Sequence, residues 1–197
     1  MNKNITPYQY KITMADRRNA TGQNSFVILF TGLSGSGKST LANALESKLF
    51  AEGYRTYVLD GDNIRSGIHN HLGFSPEDRS ENIRKIGELA RLFIDAGIIV
   101  LAAFVAPYSE DRQAIRDVVG KENYIEVFVN TSLAICEARD PKGLYARARK
   151  GEIEDMTGVD APYEIPLQPN VEIPGNKDLN ESVAIVYQAI KEKLSID

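Results

Sequence analysis

The sequence predicts an α/β fold, a three-layer α/β/α sandwich built on a mainly parallel sheet. Two observations predict it. Short apolar runs of strand length alternate with longer segments of helical periodicity along most of the 197 residues, an order that yields a parallel sheet with helices on both faces. The segment Gly32 to Thr40, GLSGSGKST, lies between the first apolar run and the first helical pattern, which makes a strand–loop–helix unit.

Taken in order, residues 1–24 are polar and without clear periodicity, and read as an N-terminal arm that packs on the domain or on a partner subunit. Residues 25–197 read as a single domain. Phe26-Val27-Ile28-Leu29-Phe30-Thr31 is continuous, β-branched and aromatic, as a strand covered on both faces should be. A helix is expected over 38–52, where Leu41, Ala44, Leu45 and Leu49 recur at helical spacing and Gly53 stands past the end. Strands are expected over 54–59, 98–104 and 124–129, and helices over 77–96, 108–119, 132–138 and 179–194. The helix at 77–96 has a clear opening in Ser75-Pro76-Glu77-Asp78, with serine as cap, proline in the first turn and acids facing the dipole. The stretch from Pro141 to Pro169 carries mixed charges, three glycines and four prolines without a clear element. Such a segment inside a compact domain is usually functional, and residues of about 141–169 read as a lid.

Lys and Arg total 23 against 27 Asp and Glu, a net charge of −4 that argues for neither a nucleic-acid nor a membrane surface. The longest apolar stretch, Ile98 to Ala106, suits a buried strand and is too short to span a bilayer. The N-terminus lacks the apolar core of a signal peptide, and the lone Cys136 forms no internal disulfide, so a cytoplasmic location is expected. Cys136 sits in an amphipathic helix and reads as a packing residue. His69 and His71, without acidic or thiol partners at ligand spacing, read as surface residues.

The chemistry begins at Gly32-x4-Gly37-Lys38-Ser39, which has the Walker A spacing in its required setting. Glycines let successive backbone N–H groups curl round a phosphate, and the helix N-terminus adds positive potential. Gly32, Leu33, Ser34, Gly35, Ser36, Gly37, Lys38, Ser39 and Thr40 are therefore candidate ligands of ATP, with Lys38 reaching the β- and γ-phosphates and Ser39 on Mg²⁺. The next strand ends in Asp60-Gly61-Asp62-Asn63, beyond a carboxyl edge where open α/β sheets bind their ligands. A carboxylate there can hold the Mg²⁺ shell, as assigned to Asp60, or accept the proton of an attacking hydroxyl. Phe74 can stack on a base or enter the core, and Arg79, opposing its helix dipole, is either an anion ligand or a solvated charge. Val105 and Ala106 stand at another strand end on the ligand side. Arg139, Lys142, Arg147, Arg149 and Lys150 place five cations at the lid, where phosphoryl transfer needs positive charge over the phosphate oxygens. Asn176-Lys177-Asp178 is similar to a guanine-reading motif, but its acid is one position early and no strong strand precedes it.

From about Phe26 to Ile173 the chain resembles the adenylylsulfate kinase family of P-loop kinases. The resemblance rests on the phosphate loop, Leu59-Asp60-Gly61-Asp62-Asn63, Leu72-Gly73-Phe74, Glu81-Asn82-Ile83-Arg84, the run Leu133 to Tyr145 and Thr157 to Glu164. It implies a P-loop NTPase fold and transfer of phosphate from MgATP to the ribose 3′-hydroxyl of adenosine 5′-phosphosulfate. It also implies roles for individual residues. Asp62 stands at the accepting hydroxyl, and Lys38 takes developing charge. Arg65, Arg79 and Asn82 hold the phosphosulfate and ribose, while Phe74 walls an adenine slot. Val105, Ala106, Lys142, Leu144 and Met156 complete the substrate side, and Arg139 belongs to ATP. As partners the resemblance implies a second copy in a homodimer and allows contact with ATP sulfurylase.

Two positions depart from the family pattern. Ala106 stands where family members commonly have a serine proposed as a phosphorylated intermediate, so a phosphoenzyme at this position is chemically impossible and direct in-line transfer follows. Met156 replaces the second phenylalanine of the slot and covers a base face with a looser fit. These departures motivate an alternative, a P-loop kinase acting on another nucleotidyl or small hydroxyl substrate; a nucleotide-dependent switch is a further class.

Overall fold

The computed structural model describes residue 6 and residues 8–196. Its elements run α1 (Met14–Thr21), β1 (Val27–Thr31), α2 (Lys38–Ala51), β2 (Thr56–Asp60), α3 (Gly61–Ser66), α4 (Pro76–Asp95), β3 (Ile99–Ala103), α5 (Ser109–Val119), β4 (Tyr124–Asn130), α6 (Leu133–Arg139), α7 (Leu144–Arg149), β5 (Val171–Pro174) and α8 (Leu179–Leu194). The five strands form one sheet in the order β2-β3-β1-β4-β5, and every pairing is parallel. The chain moves outward from β1 to β2, returns to β3, then crosses to the far side of β1 for β4 and β5. That reversal puts the topological switch point, where such sheets bind ligands, at the carboxyl end of β1.

Strands β1 and β3 are buried along their whole length, which explains their unbroken apolar sequences. Alternate residues point to opposite faces and build two cores. Phe26, Ile28 and Phe30 meet α2 and α8 through Leu41, Leu45, Leu49, Val186 and Ile190. Val27 and Leu29 face α4 and α5 through Ile86, Ala90, Ile94 and Ile115. These are the three layers. Ser75 caps α4 by accepting from the Asp78 N–H, with Pro76 opening the helix. A third, smaller cluster joins Cys136 of α6 to Tyr145 and Met156 of the segment Pro141 to Pro169, with Leu33, Leu133 and Leu144 packed against it.

Four expectations are corrected or extended. The segment Pro141 to Pro169 is not element-free, because Leu144–Arg149 forms α7. β5 goes unrecognised in the sequence, although Val171 and Ile173 are buried while Glu172 and Pro174 face out. Asn176-Lys177-Asp178 therefore does follow a strand. Its acid caps α8, however, accepting from the Asn180 and Glu181 N–H groups, which commits it to the fold. The N-terminal segment contains α1, capped by a reciprocal Thr13–Asp16 box; residues 1–5 and 7 of the expected arm lie outside the described residues.

Candidate functional site

Beyond the carboxyl ends of the strands lies a cavity of about 1060 Å³. The phosphate loop forms its floor. Gly37, the residue before α2, adopts φ 105°, a left-handed conformation that a side chain would strain. That turn aims the first N–H groups of α2 into the cavity. Lys38 is buried, and its Nζ donates to the carbonyl oxygens of Leu33 at 2.7 Å and Gly32 at 3.0 Å. Burial pulls its pKa down to about 8, with the Lys142 charge adding to the effect, while Asp60 and Asp62 oppose it. Ser34 to Thr40 line the cavity; Gly32 and Leu33 do not, and their part is to hold Lys38 through their carbonyls.

The second wall comes from β2 and α3. Asp60 ends β2 and caps α3, accepting from the Asp62 N–H at 3.0 Å, while its other oxygen accepts from the Ser39 hydroxyl at 2.6 Å. A hydroxyl and a carboxylate in direct contact at the loop's helix end form a pair of hard oxygen donors of the kind Mg²⁺ takes alongside phosphates and water. Among the described residues no group of three or more His, Cys, Asp or Glu side chains stands at metal-binding spacing. Asp62 projects into the cavity and pairs with Lys142, so the wall from β2 and α3 meets the segment Pro141 to Pro169 at this carboxylate.

Opposite the loop, Arg65 and Arg79 flank Phe74, their guanidinium carbons 4.5 and 5.8 Å from its ring centre. Phe74 is 61% exposed and lines the cavity, which resolves its alternatives against the core. Arg79 donates to the Phe74 carbonyl and reaches the lid segment at Thr157 Oγ1 and the Asp155 carbonyl. Burial lowers the pKa of both arginines, a shift that an anionic ligand would relieve. Asn82 is buried, and its Oδ1 lies 2.7 Å from His69 Nδ1.

His69 therefore corrects the expectation of a surface residue: it is 2% exposed and braces a cavity-lining side chain. No spacing rule reveals such a pair, because the partner arrives from a helix that begins several residues later. His71 is exposed, as expected, with its Nε2 3.0 Å from Lys85.

Val105, Ala106, Leu144 and Met156 all line the cavity, with Ala106 and Met156 almost fully buried. Arg139 spans the loop and the β5–α8 turn, donating to the Gly35 carbonyl at 3.3 Å and the Gly175 carbonyl at 3.0 Å. Of the lid cations, Arg139, Lys142 and Arg147 line the cavity, whereas Arg149 pairs with Glu137. Burial raises the Cys136 thiol despite the nearby Lys38 charge, consistent with a packing residue rather than a nucleophile. Gly175 and Ser182 also line the cavity without having been singled out, and Lys177 lines it although its motif was set aside; the strand that delivers the turn at Gly175 goes unrecognised in the sequence. No helix among the described residues is long and apolar enough to cross a membrane.

Comparisons with known proteins point one way. The sequence model described as adenylylsulphate kinase matches residues 24–174. The adenylyl-sulfate kinase of Vibrio cholerae is 52% identical over 192 residues, 97% of this chain and 89% of the relative. That of Oceanobacillus iheyensis is 52% identical over 196 residues, 98% of each chain. Among solved structures, the Mycobacterium tuberculosis APS kinase CysC in complex with AMPPNP and APS superposes with a TM-score of 0.83 at 43% identity, covering 85% of this chain and 98% of that one.

Proposed function

The chain belongs to the adenylylsulphate kinase family, and from that premise we propose that its cavity transfers the γ-phosphoryl group of ATP to the ribose 3′-hydroxyl of adenosine 5′-phosphosulfate. The products are 3′-phosphoadenosine 5′-phosphosulfate and ADP. One observation carries the assignment of roles: a phosphate loop and a wall of two arginines around an exposed phenylalanine share one cavity, with Asp62 between them.

In this reading the loop N–H groups and Lys38 hold the β- and γ-phosphates, and Arg139 lies along the donor side. Arg65, Arg79 and Asn82 hold the phosphosulfate and ribose, with Phe74 and Met156 on the two sides of the adenine. Val105, Ala106 and Leu144 close the substrate wall. Asp62 accepts the 3′-hydroxyl proton as the oxygen attacks phosphorus and the bond to the ADP oxygen breaks. Ser39 and Asp60 are the residues that would hold Mg²⁺, which would offset phosphate negative charge. Lys38 and the loop N–H groups stabilise the charge that gathers on the transferring group. Ala106 has no hydroxyl to phosphorylate, so transfer is direct and in line.

Residues of about 141–169 act as a lid, a reading supported by Lys142, Leu144 and Met156 on the cavity wall. A homodimer in the cytoplasm completes the proposal; light scattering tests the former as twice the mass of one chain.

The deciding experiment supplies MgATP and adenylylsulfate and follows ADP; no adenylylsulfate-dependent ADP would overturn the reading. Asp62→Asn is expected to lower turnover about 100-fold or more while ATP affinity stays within about threefold. Unaltered turnover removes Asp62 from the mechanism. Ala106→Ser is expected to leave the rate nearly unchanged, and a large gain would refute direct transfer.

A further inference from the structure

Arg112 on α5 does not line the cavity, yet it is buried and serves three acceptors at once. Its Nη1 donates to the Ala106 carbonyl at 2.8 Å, its Nη2 to the Glu164 carbonyl at 2.8 Å, and its Nε pairs with Glu126 on β4 at 2.9 Å. Ala106 adopts φ 43°, a left-handed conformation that a non-glycine residue holds only where its surroundings enforce it. The enforcement is visible. The Ala106 carbonyl is held by Arg112, and the neighbouring Val105 carbonyl accepts from Thr31 Oγ1 at 2.6 Å.

The same atoms fix the carboxyl-terminal root of the lid segment. The Tyr163 hydroxyl lies 2.9 Å from Thr31 Oγ1, and its ring stacks on Phe128. The Glu164 N–H donates to the Pro107 carbonyl, and the Ser109 N–H donates to the Glu164 carboxylate. None of these bonds reaches the phosphate loop residues Ser34 to Thr40.

We propose that Arg112 is a positioning residue for the acceptor alone: its guanidinium locks the Val105–Ala106 wall to the root of the lid and so sets the width of the substrate half of the cavity. The inference rests on the functional reading above, which assigns that wall to adenylylsulfate. A planar fork can join two carbonyls and a carboxylate in one plane, whereas an ammonium cannot. Arg112→Lys therefore keeps a cation opposite Glu126 while giving up the bridge.

Steady-state kinetics on the full chain decides it. Arg112→Lys is expected to raise KM for adenylylsulfate about tenfold while KM for ATP stays within about twofold. Tyr163→Phe removes one bond of the same anchor without unpairing a buried charge, and is expected to raise KM for adenylylsulfate about threefold with the same selectivity. A merely structural role would move both KM values together or neither, and either result in the folded variants overturns the proposal. Should Arg112→Lys fail to fold, Tyr163→Phe decides by the same split. Wild-type protein that makes no adenylylsulfate-dependent ADP overturns the functional reading itself, a separate outcome from wild-type turnover with no split in the variants.

Discussion

Lys38 shows how far the phosphate loop departs from a surface lysine. Folding takes it from 10.5 to about 8, chiefly by burial. Between those values the unfolded chain keeps a proton that the folded chain has released, so this group's contribution to stability rises with pH across that window. Below about pH 8 both states are protonated, and the cost of burying the ammonium, about 3 kcal/mol from the size of the shift, stands in full. A triphosphate against Lys38 opposes that cost by favouring the charged form. ATP affinity is therefore expected to be flat below pH 8 and to fall above it, by at most about tenfold per pH unit. Titrating ATP by calorimetry from pH 7 to 10 checks this, and Lys38→Met should bind weakly with no such slope. A slope unchanged in Lys38→Met would assign it to another group. At this scale the sequence was informative wherever a residue's chemistry depends on its neighbours in the chain. The loop, Asp60 and Asp62 all fall in that class. It was uninformative for His69 and Asn82, whose pairing depends on two segments meeting in space.

Between elements, the two halves of the cavity are propped separately. Arg112 holds the Val105–Ala106 wall, and the β5–α8 turn holds the phosphate-loop side through Gly175 and Arg139. The Gly175 N–H donates to the Asn130 carbonyl at 2.8 Å, and its own carbonyl receives Arg139. A Cβ at Gly175 would stand 2.5 Å from Thr131 Cα, a backbone contact that no rotamer relieves. Gly175→Ala is thus expected to push the turn off β4 and loosen Arg139. The outcome is a KM for ATP raised about tenfold and a stability loss of about 1–3 kcal/mol, with KM for adenylylsulfate the less affected. The pattern is the converse of Arg112→Lys. Equal effects on both substrates would show that the halves are not independently supported. The turn was also the least legible part of the fold. β5 has only four residues and ends in proline, so it offers two buried positions where β1 offers five. α7 was hidden for a similar reason: six residues yield less than two helical turns, too few for periodicity to register.

Across the whole molecule, the layered architecture was readable because parallel strands covered on both faces need continuous apolar sequence, and the long helices need a repeating apolar stripe. The packing of the N-terminal segment was not, since α1 has no buried residue and so no pattern. It docks through polar atoms at the amino-terminal edge of the sheet, away from the site. Arg18 Nε donates to Ser25 Oγ at 2.8 Å, and Nη2 reaches the Ser25 carbonyl and Asn123 Oδ1, joining the entry to β1 with the entry to β4. Ser25 Oγ in turn donates to the Ile94 carbonyl at the end of α4, and Arg17 pairs with Asp95 beside it. One helix thus ties together the edges from which β1, β3 and β4 start. Arg18→Ala leaves the Ser25 carbonyl and Asn123 without this donor. The expected loss is about 1–3 kcal/mol, seen as a melting temperature lower by several degrees. Because the clasp lies at the opposite end of the strands from the cavity, KM for ATP and for adenylylsulfate should both stay within about twofold of wild type. Thermal denaturation paired with the same kinetics separates the outcomes: a changed KM with an unchanged melting temperature would mean that α1 communicates with the site rather than holding the sheet.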